Sequence, residues 1–307
     1  MSFLGKLAYK TLYKPKSFVD KIKKQGGILN SLKIDAGKKA MQKASINLSC
    51  PQASSNDLQI HFLTGKKFWY QTVFCAYSLV KVVNKPIQFV FYDDGTFDAK
   101  LIEDAKSQFP GCIIHLMSEI DERLAKSLPL DKFPILNHKR KIYPHIKKLT
   151  DVHCGLEGWK IVLDSDMLFF KYPTQMMEWL ENPIVPFFIL DIDNAYHYSF
   201  ELMEKLTNQR IERNLNVGAI GLKSETIDWN QLEQWIGIME GQEGKSYYLE
   251  QALSAMIVSG QELELGSKGE YIVLPQKEEI LNPTKSLHHY VAEAKEWYLK
   301  EAWKKII

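Results

Sequence analysis

The stretch WKIVLDSDMLFF, residues 159–170, combines a buried strand with two closely spaced aspartates. Its first half is continuously apolar at Ile161, Val162 and Leu163, which is typical of a strand buried on both faces of a sheet. Asp164 and Asp166 follow that strand directly. Residues two apart in an extended chain point the same way, so we expect both carboxylates to face one spot at the end of the strand.

Three interpretations of this aspartate pair are open from the pattern alone. Carboxylates at short range repel each other unless a cation or a shared proton lies between them. The pair could therefore hold a divalent metal, act as the nucleophile pair of a phosphotransferase, or lie in a solvated turn. The D-x-D pattern is short and common, so its position in the fold has to decide between them.

The surrounding sequence alternates between apolar runs and helical periodicity. This order predicts an α/β fold with a single Rossmann-like, mostly parallel sheet flanked by helices. Ligands of such sheets bind outside the carboxyl ends of the strands, and this position of Asp164 and Asp166 favours the metal site over the turn. Strands are predicted at 59–64, 87–92, 112–116, 159–163, 186–190, 216–222 and 271–275, and helices at 68–83, 97–109, 232–239 and 248–258.

The first 48 residues form a basic segment, with eleven lysines against two aspartates, in a chain of 307 residues whose formal net charge is +2. A helical stripe through Leu4, Leu7 and Leu12 is broken by Pro15, and Ser17 is placed to cap a second helical piece. Such a segment is typical either of contact with an anionic membrane or of a helix packed on its own domain. We therefore predict a basic amphipathic N-terminal segment, residues 1–48, followed by one α/β domain, residues 49–307.

Composition disfavours several other classes of protein. Four cysteines lie far apart without a C-x-x-C pair, which argues against a zinc ribbon and favours a reducing compartment. The sequence shows no secretory leader and no apolar run of about 18 residues that would predict a membrane-spanning helix. Nucleic acid is not expected as a partner, because the basic segment contains no arginine and no known binding motif. We expect a cytoplasmic location, peripheral at a membrane through residues 1–48.

Four motifs together resemble glycosyltransferase family 8, the family of glycogenin and the bacterial lipopolysaccharide galactosyltransferases. HYVAEAKEW, residues 289–297, resembles the H-[FY]-x-G-x-x-K-P-W element, with Ala292 in place of Gly and Glu296 in place of Pro. LDSDMLF (163–169) resembles the metal-binding D-x-D strand, and NVGAIGL (216–222) resembles the N-x-G strand that follows it. LEQALSAM (249–256) resembles the D-Q-x-x-L-N element, with Glu250 in place of Asp.

The resemblance implies a metal-dependent transferase of the GT-A fold, in which a smaller antiparallel element lies near the site. It implies that a sugar passes from a UDP-sugar to a hydroxyl of a glycan or glycolipid, with retention of anomeric configuration. Oxygen and imidazole ligands suit Mn²⁺ or Mg²⁺. The implied metal ligands are Asp164, Asp166 and His289; the donor-binding residues are Thr64, Arg140, Asp164, Ser165, Asn216, Gly218 and Lys295; and the catalytic residues are Gln251, Glu250 and Asp193.

The first loop departs from the family pattern, and two other functions stay open. Gly65, Lys66 and Lys67 stand where the family carries an aspartate that contacts the base. A phosphatase of the haloacid-dehalogenase type would use Asp164 as its nucleophile, but its motif normally lies near the start of the domain. A homologue that binds nucleotide sugar without catalysis would also be compatible with the altered loop.

Overall fold

The structure is a computed structural model that describes residues 26–54 and 58–307. The helical pieces that the sequence predicts before residue 26, with the break at Pro15 and the cap at Ser17, lie outside the described residues. Within the described part of the chain, no helix combines the length and the apolarity that a membrane span requires.

The main sheet has seven strands in the order β3-β2-β1-β4-β7-β6-β8. All neighbouring strands run parallel except for β7, which is antiparallel to both β4 and β6. The predicted mostly parallel sheet is therefore confirmed. Its strands are β1 (Gln59–Thr64), β2 (Gln88–Asp93), β3 (Ile113–His115), β4 (Trp159–Leu163), β6 (Phe187–Leu190), β7 (Leu215–Lys223) and β8 (Glu264–Leu265).

A second sheet of three strands lies beside the carboxyl end of β4. It consists of β5 (Met167–Phe169), β9 (Tyr271–Val273) and β10 (Leu287–His289), in the order β5-β10-β9. The pairing of β5 with β10 is antiparallel, and the pairing of β10 with β9 is parallel. This sheet is the small element that the family resemblance implies, although the sequence pattern predicted neither β5 nor β10 as a strand.

Helices cover both faces of the main sheet. The first helix, Ile28–Ser45, falls within the predicted N-terminal segment and packs against the last helix, Ala294–Lys300. The two are so close that a Cβ atom added at Gly37 would lie 2.3 Å from the carbonyl oxygen of Leu299. The segment boundary at residue 48 stays a prediction. The helices are α1 (Ile28–Ser45), α2 (Trp69–Val83), α3 (Ala99–Gln108), α4 (Met117–Ser127), α5 (Pro134–Ile142), α6 (Lys147–His153), α7 (Thr174–Glu181), α8 (Phe200–Thr207), α9 (Trp229–Glu243), α10 (Leu249–Ile257), α11 (Lys277–Leu281) and α12 (Ala294–Lys300).

The apolar run in β4 is explained by burial on both sides of the sheet. Ile161 and Leu163 belong to the hydrophobic cluster on one face, and Val162 belongs to the cluster on the other. Each of these side chains is almost fully buried, a change of environment that stabilises a protein by roughly 1.5–3 kcal/mol per residue. The end of β4 is thereby held rigidly in the centre of the sheet.

Two buried histidines lie in this core away from the carboxyl ends of the strands. His61 is on β1, and His153, at the end of α6, is 2.9 Å from Ser224 Oγ through its Nδ1 atom. Burial lowers the pKa of His61 to about 3, and burial also lowers the pKa of His153 well below its ordinary value. The positive charge of Lys160 adds to both shifts. The fold therefore requires both imidazoles to be neutral.

We predict that the free energy of unfolding falls as the pH is lowered below 6.5. Below this pH the two histidines become protonated in the unfolded chain, whereas their buried imidazoles stay neutral in the folded chain. Each histidine thereby lowers the free energy of unfolding by about 1.4 kcal/mol per pH unit. His61→Leu should make the slope of stability against pH shallower by about that amount between pH 6 and pH 4.5. Urea unfolding at a series of pH values measures the slope.

His138→Gln is the matched control for this experiment, because the side chain of His138 is exposed. Its slope should equal that of the parent protein. Identical slopes in the parent and in His61→Leu would contradict the prediction.

Candidate active site

The turn Asp164-Ser165-Asp166 joins β4 to β5 and is fixed from two sides. The backbone N–H of Asp164 donates to the carbonyl oxygen of Gly218 on β7 at 2.7 Å. The carbonyl oxygen of Asp166 accepts from the backbone N–H of Tyr290, just after β10, at 2.9 Å. Ser165 lies between the two aspartates and is half-buried. Both sheets therefore hold the turn at the carboxyl edge of β4, where the sequence predicted a site.

His289 is brought to this turn by the pairing of β10 with β5, which places it opposite Met167. Its Nε2 atom lies 3.4 Å from Oδ1 of Asp166 and 3.6 Å from Oδ2 of Asp164. One ligand atom from each of the three residues lies within 4.8 Å of the others. The structure therefore brings together the three residues that were predicted as metal ligands.

The tautomer of His289 follows from its contact with Asn216. The Nδ2 atom of Asn216 donates to Asp191 at 2.9 Å, so its Oδ1 atom faces Gly218 N at 2.8 Å and His289 Nδ1 at 3.1 Å. An amide oxygen only accepts hydrogen bonds, so Nδ1 carries the hydrogen and Nε2 presents a lone pair. Nε2 is buried and has no hydrogen-bond partner among the described residues. Two carboxylates and this lone pair fit a divalent cation.

Gly218 is required by the approach of the histidine ring. A Cβ atom added at this position would lie 2.4 Å from Cε1 of His289 and 2.6 Å from Cε of Met167. Neither distance leaves room for a methyl group, so the glycine of the N-x-G motif makes space for the predicted ligand.

Two lysines neutralise the outer sides of the carboxylates. Lys295, on α12, places Nζ 2.9 Å from Oδ2 of Asp166. Lys148, on α6, is buried and donates to Oδ1 of Asp164 at 2.9 Å and to the carbonyl oxygen of Val217 at 2.8 Å. Burial pushes the pKa of Asp166 upward. His289, when both of its ring nitrogens are protonated, and Lys295 outweigh burial and hold that pKa well below its usual value. Burial also lowers the pKa of Lys148, and its acidic neighbours more than offset this and raise that pKa above the usual value.

Glu250 and Gln251 begin helix α10 beside these groups. Glu250 is buried, and its Oε1 atom lies 3.8 Å from Lys148 Nζ and has no hydrogen-bond partner among the described residues. Burial raises the pKa of Glu250 to about 7, against the opposing effect of Lys148. Gln251 donates through Nε2 to the carbonyl oxygen of Leu215 at 2.8 Å and to Oδ2 of Asp191 at 3.3 Å.

These groups line a cavity of about 470 Å³. Lys148 also lines it, and no pattern in the sequence marked that residue, since it is one of two adjacent lysines in a seven-residue helix. The wall further includes aromatic side chains that the sequence did not single out, among them Tyr143 and Tyr247. The predicted site residues in the lining are Asp164, Asp193, Asn216, Gly218, Glu250, Gln251, His289 and Lys295.

Four predicted residues lie outside the lining of this cavity as the structure describes it. Ser165 and Asp166 belong to the turn after β4 described above, and the other two are Thr64 and Arg140. Thr64, at the end of β1, is buried and hydrogen-bonded through Oγ1 to Thr72 at 2.6 Å. Arg140 makes ion pairs with Asp151 at 2.7 Å and with Asp121 at 2.6 Å. The roles predicted for Thr64 and Arg140 stay predictions.

The altered loop after β1 is closely packed. A Cβ atom added at Gly65 would lie 2.0 Å from Oδ1 of Asp94 and 2.3 Å from Oγ1 of Thr96. The backbone N–H of Lys66 donates to Thr96 Oγ1 at 2.9 Å, and its side chain forms an ion pair with Asp98. The glycine thus allows the loops after β1 and β2 to lie against each other.

Ala292, another departure from the family pattern, has a left-handed backbone conformation with a φ of 45°. The family motif has glycine there, and glycine adopts this conformation without a steric penalty. Alanine costs roughly 1–2 kcal/mol in such a position, so the loop between His289 and Lys295 carries local strain.

Comparison with known proteins supports the architecture. No protein-family model and no curated protein matches the sequence. Among solved structures, the chain is similar to mouse xyloside xylosyltransferase 1 (TM-score 0.51, 11% identity, covering 76% of this chain and 97% of that one). It is also similar to the galactosyltransferase LgtC in complex with donor and acceptor sugar analogues (TM-score 0.52, 14% identity, 81% and 94%) and to the bifunctional glycosyltransferase WbbM (TM-score 0.53, 10% identity, 84% and 52%).

At these identities the likeness concerns the fold. The chain has the GT-A glycosyltransferase fold, as the family resemblance implied.

We predict that, if the cluster of Asp164, Asp166 and His289 holds Mn²⁺, Gly218→Ala weakens that binding by at least about 10-fold, the effect typical of disturbing a group that orients a metal ligand. The added methyl group must displace the imidazole of His289, which lies 2.4 Å from its position. Electron paramagnetic resonance of free Mn²⁺ measures the affinity.

Gly241→Ala is the matched control, because a Cβ atom added at Gly241 meets nothing within 4 Å. This variant should bind Mn²⁺ like the parent protein. Parental affinity in Gly218→Ala would contradict the geometry assigned to His289.

Proposed function

We propose that the protein is a metal-dependent glycosyltransferase that moves a sugar from a UDP-sugar to a hydroxyl of a glycan or glycolipid, with retention of configuration. The observation that carries this proposal is the convergence of Asp164, Asp166 and the Nε2 lone pair of His289 at the carboxyl edge of a GT-A sheet. The glycosyltransferases with similar folds support the reaction class.

The three converging residues would hold Mn²⁺ or Mg²⁺, and the imidazole ligand favours Mn²⁺. When bound, the ion would supply positive charge that offsets the charge of the leaving diphosphate. Lys295 would add a point charge for a phosphate, because half of its side chain is exposed while its Nζ atom reaches Asp166.

The donor sugar would lie against Glu250 and Gln251 at the base of the cavity. The Oε1 atom of Glu250 has no hydrogen-bond partner in the part of the chain that the structure describes, so it can accept a hydrogen bond from a sugar hydroxyl. Lys148 bridges Asp164 and Glu250, so we assign it, rather than Arg140, as the basic group on the donor side. Arg140 already faces two aspartates. Any contribution of Thr64 to binding of the base would come through its backbone, because its hydroxyl is paired with Thr72.

Retention would follow from attack by the acceptor hydroxyl on the face from which the diphosphate departs. A leaving phosphate oxygen can take the acceptor proton, and we assign no covalent nucleophile. Asp193 is exposed at the rim of the cavity, where it can contact the acceptor. The phosphatase alternative is less well supported, because it gives no role to His289 or Lys295.

We predict that UDP binds with Mn²⁺ present and at least about 100-fold more weakly without it. Asp166→Ala should reduce the affinity to the metal-free level, because removing a ligand exceeds the 10–100-fold effects of its supporting residues. Isothermal titration of UDP with and without Mn²⁺ measures both, and Asp131→Ala, which removes an exposed acid, is the control.

Binding that ignores the metal would overturn the roles of Asp164, Asp166 and His289. Metal-dependent binding of UDP without turnover of any UDP-sugar would favour the non-catalytic homologue.

We further propose that residues 1–48 contact an anionic membrane, where a glycolipid acceptor would lie. Replacing Lys6, Lys10 and Lys14 by serine should weaken binding to phosphatidylserine vesicles about 100-fold at low salt, since each lysine near such a surface contributes about 1 kcal/mol. Vesicle flotation measures the change. The control replaces three exposed lysines of the domain, Lys85, Lys106 and Lys132. Equal flotation of the two triple variants would contradict the proposal.

A further inference from the structure

A carboxylate outside the three-residue metal cluster holds both amides of the site. Asp191 follows β6, and its backbone N–H donates to the carbonyl oxygen of Asn214 at 2.7 Å, which fixes the start of its loop. Its Oδ2 atom accepts from Asn216 at 2.9 Å and from Gln251 at 3.3 Å. Its Oδ1 atom accepts from the backbone N–H of Ile192 at 2.9 Å. Both oxygens of Asp191 are thus occupied as acceptors.

The orientation of the Asn216 amide depends on this carboxylate. If the amide were rotated by half a turn, its oxygen would face Oδ2 of Asp191, and its NH₂ group would face the backbone N–H of Gly218. Acceptor would then face acceptor at Asp191, and donor would face donor at Gly218. Each buried polar group left without a hydrogen bond destabilises the fold by about 1–3 kcal/mol. Asp191 therefore selects the orientation in which the amide oxygen accepts from His289.

The same carboxylate determines what Gln251 offers to the cavity. The Nε2 atom of Gln251 carries two hydrogens, and these are taken by Leu215 and Asp191. The carbonyl oxygen of the side chain is the part left for the substrate. A carboxylate suits this position because its oxygens only accept hydrogen bonds. The NH₂ groups of Asn216 and Gln251 therefore stay directed at Asp191, and neither amide rotates by half a turn.

We propose that Asp191 is a positioning residue of the site. Through Asn216 it keeps the hydrogen of His289 on Nδ1 and leaves Nε2 free to bind the cation. Through Gln251 it presents a carbonyl oxygen to the donor sugar. This inference rests on the proposed function, because it assigns Asp191 a part in the same metal and donor site.

Titration of Mn²⁺ into the protein, followed by electron paramagnetic resonance, tests the metal half without requiring activity. Asp191→Ala should lower the affinity for Mn²⁺ by roughly 10-fold or more. Asp191→Asn should stay within about threefold of the parent, since its amide oxygen can replace Oδ2 and accept from both amides. Its NH₂ group then faces the backbone N–H of Ile192, and because that hydrogen bond is exposed, water can replace it. Ile192→Ala alters the same loop with a half-exposed apolar side chain and should bind Mn²⁺ like the parent.

A second variant tests the route through Asn216. Asn216→Ala should lose as much Mn²⁺ affinity as Asp191→Ala, and the double variant should lose no more than either single variant, because both changes act on one amide. Additive losses would show that the two residues act separately and would overturn the inference. A thermal unfolding transition recorded for each variant establishes that it is folded.

The remaining outcomes distinguish this inference from the proposed function. Parental Mn²⁺ affinity in Asp191→Ala overturns the inference and leaves the function intact. Equal losses in Asp191→Ala and Asp191→Asn would mean that negative charge matters rather than amide orientation, and would also overturn it. Absence of Mn²⁺ binding in the parent protein would overturn the proposed function and this inference together.

Discussion

Two negative charges and one lone pair converge in the site. They belong to the carboxylates of Asp164 and Asp166 and to the Nε2 atom of His289. Two unit charges about 5 Å apart repel by roughly 3–4 kcal/mol at an effective dielectric constant of 20, so the arrangement needs compensation. Lys148 and Lys295 supply it from the outer side of each carboxylate. The space between the three ligand atoms is where the proposed cation would bind.

Strand β7 holds Asp164 and His289 in place. Strand β7 contributes a carbonyl oxygen that fixes Asp164, an amide that orients His289, and a glycine that makes room for its ring. Each of these depends on β7 running antiparallel beside β4, with Ala219 opposite Leu163. The N-x-G motif is therefore a set of contacts with the imidazole and with the turn after β4.

The sequence predicted the parts that depend on local pattern. Strand β4 is recognisable because its apolar run of Ile161, Val162 and Leu163 is buried on both faces of the sheet. The position of Asp164 and Asp166 after it followed from chain geometry. Strands β5 and β10 were not predicted as strands, because each has three residues and their pairing joins distant parts of the chain. His289 was assigned from a family motif, and only the structure shows which strand presents it.

Lys148 illustrates a different limit of sequence reasoning. Arg140 was assigned to the donor site from the family resemblance, whereas the lysine beside Asp164 stands in an ordinary run of polar and apolar residues. Its importance arises from burial against Val217 and Glu250, which are brought near by other elements. The position of such a residue in the site depends on tertiary contacts, so no periodic pattern in the sequence reveals it.

The order of these segments along the chain has a consequence for biosynthesis. A growing polypeptide carries both aspartates long before His289 has been made, and β10 must still dock beside β5 to deliver it. Non-local pairing of this kind is slow to form, and chains that lack it expose apolar surface. A divalent ion at 100 times its dissociation constant would stabilise only the completed fold, by about 2.7 kcal/mol. If the proposed cation binds, its availability in the cell would influence how much of the newly made protein persists.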